Sequence, residues 1–299
     1  MPNWSEVLEE IQQESITNQN AVDTVRRRHL KRLAEHTGRN TIIYYSGWLH
    51  TDPNQRGLSI GDEDMTGFMT AIHNMDRSKG LDLILHTPGG DIAATEALVT
   101  YLRSMFGKDI RAIVPQLAMS AGTMIACSTK EIILGKQSSL GPFDPQLGGL
   151  SAPAVLDEFK RAIIEIKADP ACAPLWQVII GKYHPTFLDT CHRAMVMAQD
   201  IVGGWLKSGM FDGDADAEEK SRKIVASLSD HDEHKTHARH IPVDQCEKIG
   251  LKIKRLESDA ELQGLVLTVH HACIHSCAMG PIVKLIENDE GQCCMLRGV

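Results

Sequence analysis

Three observations predict an α/β fold built on a parallel sheet. Short apolar runs, the length of buried strands, alternate with stretches whose apolar residues recur at helical spacing. Breaks rich in glycine, proline or serine fall just after two of those runs, at 88–90 and 119–123. The composition is that of an ordinary globular protein, and 299 residues suffice for a sizeable core. Alternating strands and helices imply right-handed crossovers, with ligands at the carboxyl ends of the strands.

In chain order, residues 4–33 are rich in Glu, Gln, Arg and Lys, with apolar positions at helical spacing. The triple arginine, Arg26 to Arg28, is read as a solvated face or an oligomer contact. Gly38 is placed to end this helix. The β-branched and aromatic run at 41–48 is a first strand, followed by a polar loop carrying Pro53, Asn54, Gly57 and Gly61. Phe68, Ile72 and Met75 mark a helix before a second strand at 81–85. Asp91 is placed to cap the next helix, which buries Leu98, Val99, Leu102 and Met105. Residues 110–114 form a third strand, 124–127 an apolar helical stretch and 131–134 a fourth strand. A loop rich in Gly, Pro and Ser spans 135–149. Helices follow at 154–166, from near Pro185, and at 220–228, with a charged loop at 231–239. The segment 241–256 has an extended start, a short helix and a strand; 265–277 and 279–286 form an apolar layer, and 292–296 a last strand. These divisions give a helical arm at 1–36, a main domain at 37–256 and an appendage at 257–299, packed on the core or forming an oligomer interface.

The two breaks carry the chemistry. Adjacent glycines at 89 and 90 let the backbone approach a ligand with no Cβ in the way. They sit before a helix N-terminus, whose free N–H groups can bind an oxyanion. Ser120, among small residues at a second strand-to-helix junction, has the setting of a nucleophile. Alone, each half favours the plainer reading of a helix cap with small residues for close packing.

Together, the sequences HTPGGD at 86–91, MSAGT at 119–123 and SSLGPFDPQ at 138–146 resemble the Clp protease proteolytic subunit and signal peptide peptidase A superfamily. Within it they are most similar to the serine dehydrogenase proteinase group. The likeness runs from about 37 to 211 and, more weakly, from 234 to 256. It implies a ClpP/crotonase-like α/β fold, a parallel sheet with repeated β-β-α and βαβ units and helices on both sides. It also implies a serine peptidase with Ser120 as nucleophile and the Gly90 and Ala121 N–H groups as oxyanion donors. Gly89, Asp91 and Pro142 would line the substrate site. A peptide or protein substrate, no cofactor, no metal and a homo-oligomer are expected. The N-terminal helix and C-terminal layer are the expected contact surfaces.

The base is left open. The Clp histidine belongs in the loop that here carries Phe143 and Asp144, and no histidine lies between Ser120 and Lys182. A Ser-His-Asp triad of the Clp kind is therefore not expected, and Asp144 is read as a turn residue before Pro145. The signal peptide peptidase A likeness implies a buried lysine instead. Lys182 is placed ahead of Lys160, with His184 and His237 as alternative bases, while Lys130 and Lys136 lie too close to Ser120 in sequence. Two alternatives keep the fold: acyl-thioester binding or hydrolysis of the crotonase type, and a catalytically silent oligomeric scaffold.

Net charge of −8 argues against a nucleic-acid-binding body. No apolar run reaches the roughly 18 residues of a membrane span. Eight cysteines and a polar, acidic start lead to the expectation of reduced thiols in the cytoplasm. His231, His234, His237 and His240 form one His-rich run, and His270, His271, Cys273, His275 and Cys277 another; neither has the paired spacing of a structural zinc site. The first is read as an exposed loop and the second as part of a buried helix.

Overall fold

A computed structural model describes residues 4–298. Helices α1 (Trp4–Ser15) and α2 (Ala21–Thr37) lead into β1 (Asn40–Ser46). Gly38 ends α2 in the left-handed conformation, its N–H donating to the Ala34 carbonyl. Then come α3 (Asp64–Ile72), β2 (Leu81–His86), α4 (Ile92–Phe106), β3 (Ile110–Val114), β4 (Leu117–Ala118), α5 (Ala121–Cys127) and β5 (Glu131–Leu134). The short strands β6 (Ser139–Leu140), β7 (Gln146–Leu147) and β8 (Leu150–Ser151) precede α6 (Ala152–Ala168), α7 (Ala173–Ile180), α8 (Phe187–Ser208), α9 (Ala217–Leu228) and α10 (His231–His234). The chain closes with β9 (Ile241–Pro242), α11 (Val243–Ile249), β10 (Ile253–Arg255), α12 (Ala260–Met279), β11 (Ile282–Asn288) and β12 (Cys293–Arg297).

The central sheet has seven strands in the order β10-β5-β3-β2-β1-β11-β12. The first five are mutually parallel, and β11 and β12 add antiparallel beside β1. Residues 257–298 thus supply a covering helix and two strands of this sheet. Period-two alternation sorts each strand between two faces. Ile42, Tyr44, Leu83, Leu85, Ala112 and Ile132 pack beneath α3, α4, α5 and α8, whereas Ile43, Tyr45, Ile84, Ile113 and Ile133 pack against α2 and α12. With both faces covered, strands such as β2 read as nearly continuous apolar runs.

The arginine run is not a solvated face. Arg26 is fully buried and donates from Nε to Glu287 at 2.7 Å, and Arg27 reaches the other oxygen of Glu287 at 2.6 Å. Arg28 turns outward, to Glu10 and Glu14 of α1, and the Arg27 side chain stays partly exposed. The N-terminal helix is packed inward too: Val7 and Ile11 bury against Val25 and Ala272. Among the described residues no helix is long and apolar enough to cross a membrane.

On the α12 side, His86 packs against Tyr45 and His270, with ring centroids 4.4 and 5.5 Å away. Burial, aided by His271 and His50, lowers the His270 imidazole from 6.5 to about 3. Burial likewise holds His86 well below its ordinary value. Folding keeps these rings neutral, while the unfolded chain takes up protons below about pH 6.5. Their stabilising contribution is complete above that pH and lost as pH falls. For His270 the slope is about 1.4 kcal/mol per pH unit down to its folded value. Urea melts across this range should show the decline, with a shallower slope for His270→Gln.

Candidate active site

Both breaks fall at carboxyl ends of strands and are stitched together. The Thr87 N–H donates to the Leu117 carbonyl (3.1 Å), and the Met119 N–H donates back to Thr87 (3.0 Å). Ser120 follows at φ 52° and ψ −118°, a conformation that side chains rarely adopt. It is the residue before α5, so its side chain stands at the helix N-terminus. Gly89 takes φ 97° because it lies against this turn: a Cβ there would come within 2.7 Å of the Met119 carbonyl and the Ser120 Cβ.

Gly90 is held on its other side by Ile60. The Ile60 N–H donates to Gly89 (2.8 Å), and the Asp91 N–H donates to Ile60 (3.0 Å). In this parallel bridge the N–H of Gly90 itself points away from Ile60. A Cβ on Gly90 would meet the Ile60 backbone at 2.3 Å, so the close approach requires glycine. Asp91 caps α4, its Oδ1 accepting from the Ala94 N–H at 2.8 Å, as its position in the sequence predicts. Ala121 opens α5, where N–H groups lack helical carbonyl partners. Among the described residues neither the Gly90 nor the Ala121 N–H donates to another group of the chain.

A cavity of about 290 Å³ opens over these groups, lined by Gly89, Gly90, Asp91, Ser120, Phe143 and His237, among others. His237 reaches it through tertiary pairing. β4, which ends two residues before Ser120, pairs with β6, and β6 pairs with β9, which follows the histidine loop. The His237 Nδ1 lies 2.7 Å from Asp144 Oδ1. Asp144, read from the sequence as a turn residue, is instead buried. Its other oxygen, Oδ2, accepts from Ser151 Oγ and Gln146 Nε2, both at 3.0 Å, and His231 Nδ1 stands 3.6 Å away. Burial alone would raise this carboxyl. The His237 hydrogen bond and charge, with Ser151 and His231, outweigh burial and hold it below its ordinary value. An ionised carboxylate only accepts, so Nδ1 of His237 carries a proton in this contact, and when the ring is neutral Nε2 is its acceptor.

The other candidate bases lie elsewhere. Lys182 is exposed on the turn after α7 and does not line this cavity. Lys160 is exposed on α6 and paired with Asp157 at 2.8 Å. His184 is exposed, its Nδ1 against the Pro185 carbonyl. Pro142 is buried next to the cavity-lining Phe143 but is not itself among the lining residues. The loop at 231–239 is not simply solvated either: His234 is buried on the Ser227 carbonyl (2.8 Å), and His231 and His237 flank Asp144. The sequence signal for this site was the combination of a PFDPQ loop with a histidine just before a short β-pair. Two-residue strands give no periodicity by which to see it.

The chain is similar to two uncharacterized proteins of Methanocaldococcus jannaschii. One is 32% identical over 191 residues, covering 64% of this chain and 59% of the relative. The second is 29% identical over 170 residues, covering 57% of this chain and 52% of the relative. The chain thus spans between half and three fifths of the length of these curated relatives. A family model described as ClpP-like SDH-type serine proteinase matches residues 19–265. With most of its length matched, and with a serine at a strained turn beside two free backbone donors, the chain belongs to the ClpP-like SDH-type serine proteinases.

Proposed function

We propose that the chain hydrolyses peptide bonds through an acyl-enzyme on Ser120, with His237 as general base and Asp144 as its orienting partner. The observation that carries this reading is the His237–Asp144 contact at 2.7 Å, with His237 lining the same cavity as Ser120. Ser120 Oγ attacks the scissile carbonyl carbon while its proton passes to His237 Nε2. The carbonyl oxygen becomes an oxyanion held by the Gly90 and Ala121 N–H groups. Collapse breaks the C–N bond, and His237 returns the proton to the leaving amine. Water, activated by the same histidine, then attacks the acyl ester, releases the acid and restores Ser120. The Ser-Lys dyad expected from the sequence gives way here to a histidine base, because both candidate lysines are solvated and outside the cavity. A quenched fluorogenic peptide library tests the reading. Cleavage by wild type that vanishes in Ser120→Ala supports it, and cleavage that survives the substitution refutes it.

Self-association belongs to the same proposal. Ile163 and Ile164 of α6 and Leu175 and Val178 of α7 are each more than half exposed. Apolar surface of this kind marks association sites. The N-terminal helix, by contrast, turns Val7 and Ile11 inward. Ile164→Glu is expected to lower the molar mass measured by light scattering. An unchanged mass would remove this face from the assembly.

A further inference from the structure

Among the described residues, Lys284 is the lysine whose side chain the fold buries, at 2% exposure. It lies on β11, beyond the family-matched segment, which ends at 265. Its Nζ donates to both oxygens of Asp64, at 2.7 and 2.9 Å, and to the Ser59 carbonyl at 2.7 Å. Its cross-strand neighbour on β1 is Ser46, whose Oγ donates to the preceding carbonyl, Leu58, at 2.7 Å. Asp64 also accepts from the Tyr44 hydroxyl (2.6 Å) and from the Gly61 N–H (3.1 Å). Residues 58, 59 and 61 are therefore fixed to the sheet through β1, β11 and Asp64. Residue 60, between them, is the one that bridges Gly90.

This arrangement matters because residues 47–63 form no helix or strand of their own. The Ile60–Gly90 bridge is isolated, so no neighbouring ladder sets its register. The position of Ile60 thus depends on the bonds made by its sequence neighbours. The position of the Gly90 N–H depends in turn on Ile60, which a Cβ on Gly90 would strike. Oxyanion donors are effective only when held at hydrogen-bond distance from the charge that develops.

Resting on the serine hydrolase reading above, we propose that Lys284, acting with Asp64, is a positioning residue for the oxyanion donor Gly90. It fixes the 58–61 template against which the glycine turn is registered. It touches no reacting atom, and its loss should weaken transition-state stabilisation more than ground-state binding.

An alkyl fluorophosphonate separates these effects, because its phosphoryl oxygen enters the oxyanion site during reaction. Inactivation kinetics would be measured for wild type, Ser120→Ala, Lys284→Met and the double variant Lys284→Met/Asp64→Asn. The double variant removes both buried charges together, so it leaves no unpaired ion inside. For variants with a cooperative melt, kinact is expected to fall by about tenfold or more while KI stays near wild type. Unchanged kinact in a folded Lys284 variant would overturn the proposal, as would a change confined to KI. Failure of even the neutral double variant to fold would also overturn it, assigning the pair to stability. Wild-type labelling that does not depend on Ser120 would instead refute the underlying reading. Ser120-dependent labelling with an unaffected Lys284 variant would refute the positioning role alone.

Discussion

His237→Ala is expected to slow Ser120-dependent peptide cleavage by about 10⁴-fold, a loss typical of removing the base from a serine triad. In the proposed mechanism Nε2 of this ring takes the serine proton, while Nδ1 is committed to Asp144 at 2.7 Å. Without the ring, the Ser120 hydroxyl loses the acceptor for its proton, and the leaving amine loses its donor. Asp144→Asn should cost roughly 10³- to 10⁴-fold by a different route. An amide can donate to Nδ1, which favours the tautomer that places the proton on Nε2 and removes the acceptor that the proposed mechanism needs. Both variants should retain the wild-type fold, because the pair sits in a loop at the edge of the core. Lys182→Ala and Lys160→Ala should leave the rate unchanged, since both side chains stand in solvent away from the cavity. Steady-state cleavage of one peptide by the four variants checks the whole set.

Arg26→Met is expected to destabilise the fold by about 3–5 kcal/mol, the usual cost of breaking a buried ion pair from one side. The guanidinium and the Glu287 carboxylate are both fully buried, and the arginine also donates to Ser276 Oγ at 2.6 Å. These bonds tie α2 to β11 and α12. Methionine matches the length of the stem but leaves a buried carboxylate with Arg27 alone as its charged partner. The melting temperature should drop by roughly 6–10 °C for a chain of this size. Arg28→Met is the control: its partners Glu10 and Glu14 are partly exposed, and such surface pairs contribute about 1 kcal/mol or less. Thermal melts followed by circular dichroism would separate the two.

These two sites also mark where sequence reasoning reaches its limit. β2, the glycine turn, the Asp91 cap and the Ser120 junction are legible because each is encoded locally, by an apolar run, a pair of glycines or a capping side chain. The resemblance resting on the three motifs points to Ser120 as the proposed nucleophile for the same reason. Asp144 and His237 are different. The aspartate looks like a turn residue and the histidine like part of a solvated run. Their pairing depends on β6 and β9, two-residue strands brought together across α6 to α10. The lysine preference came from a family analogy; both lysines are exposed and outside the cavity, which is why a histidine base is proposed in their place. Arg26 shows the same blindness: it belongs to a charged helical run, and its partner lies in the last part of the chain. Lys284 carries no motif at all, and only the register of β11 against β1 reveals what it holds.

The most direct measurement is peptide mapping of the fluorophosphonate adduct, with labelling rates for wild type, Ser120→Ala, His237→Ala and Lys182→Ala. The account predicts a single adduct on Ser120, none in Ser120→Ala, near-complete loss of the rate in His237→Ala and a wild-type rate in Lys182→Ala. An adduct on another residue, or a rate lost in Lys182→Ala but kept in His237→Ala, would contradict it.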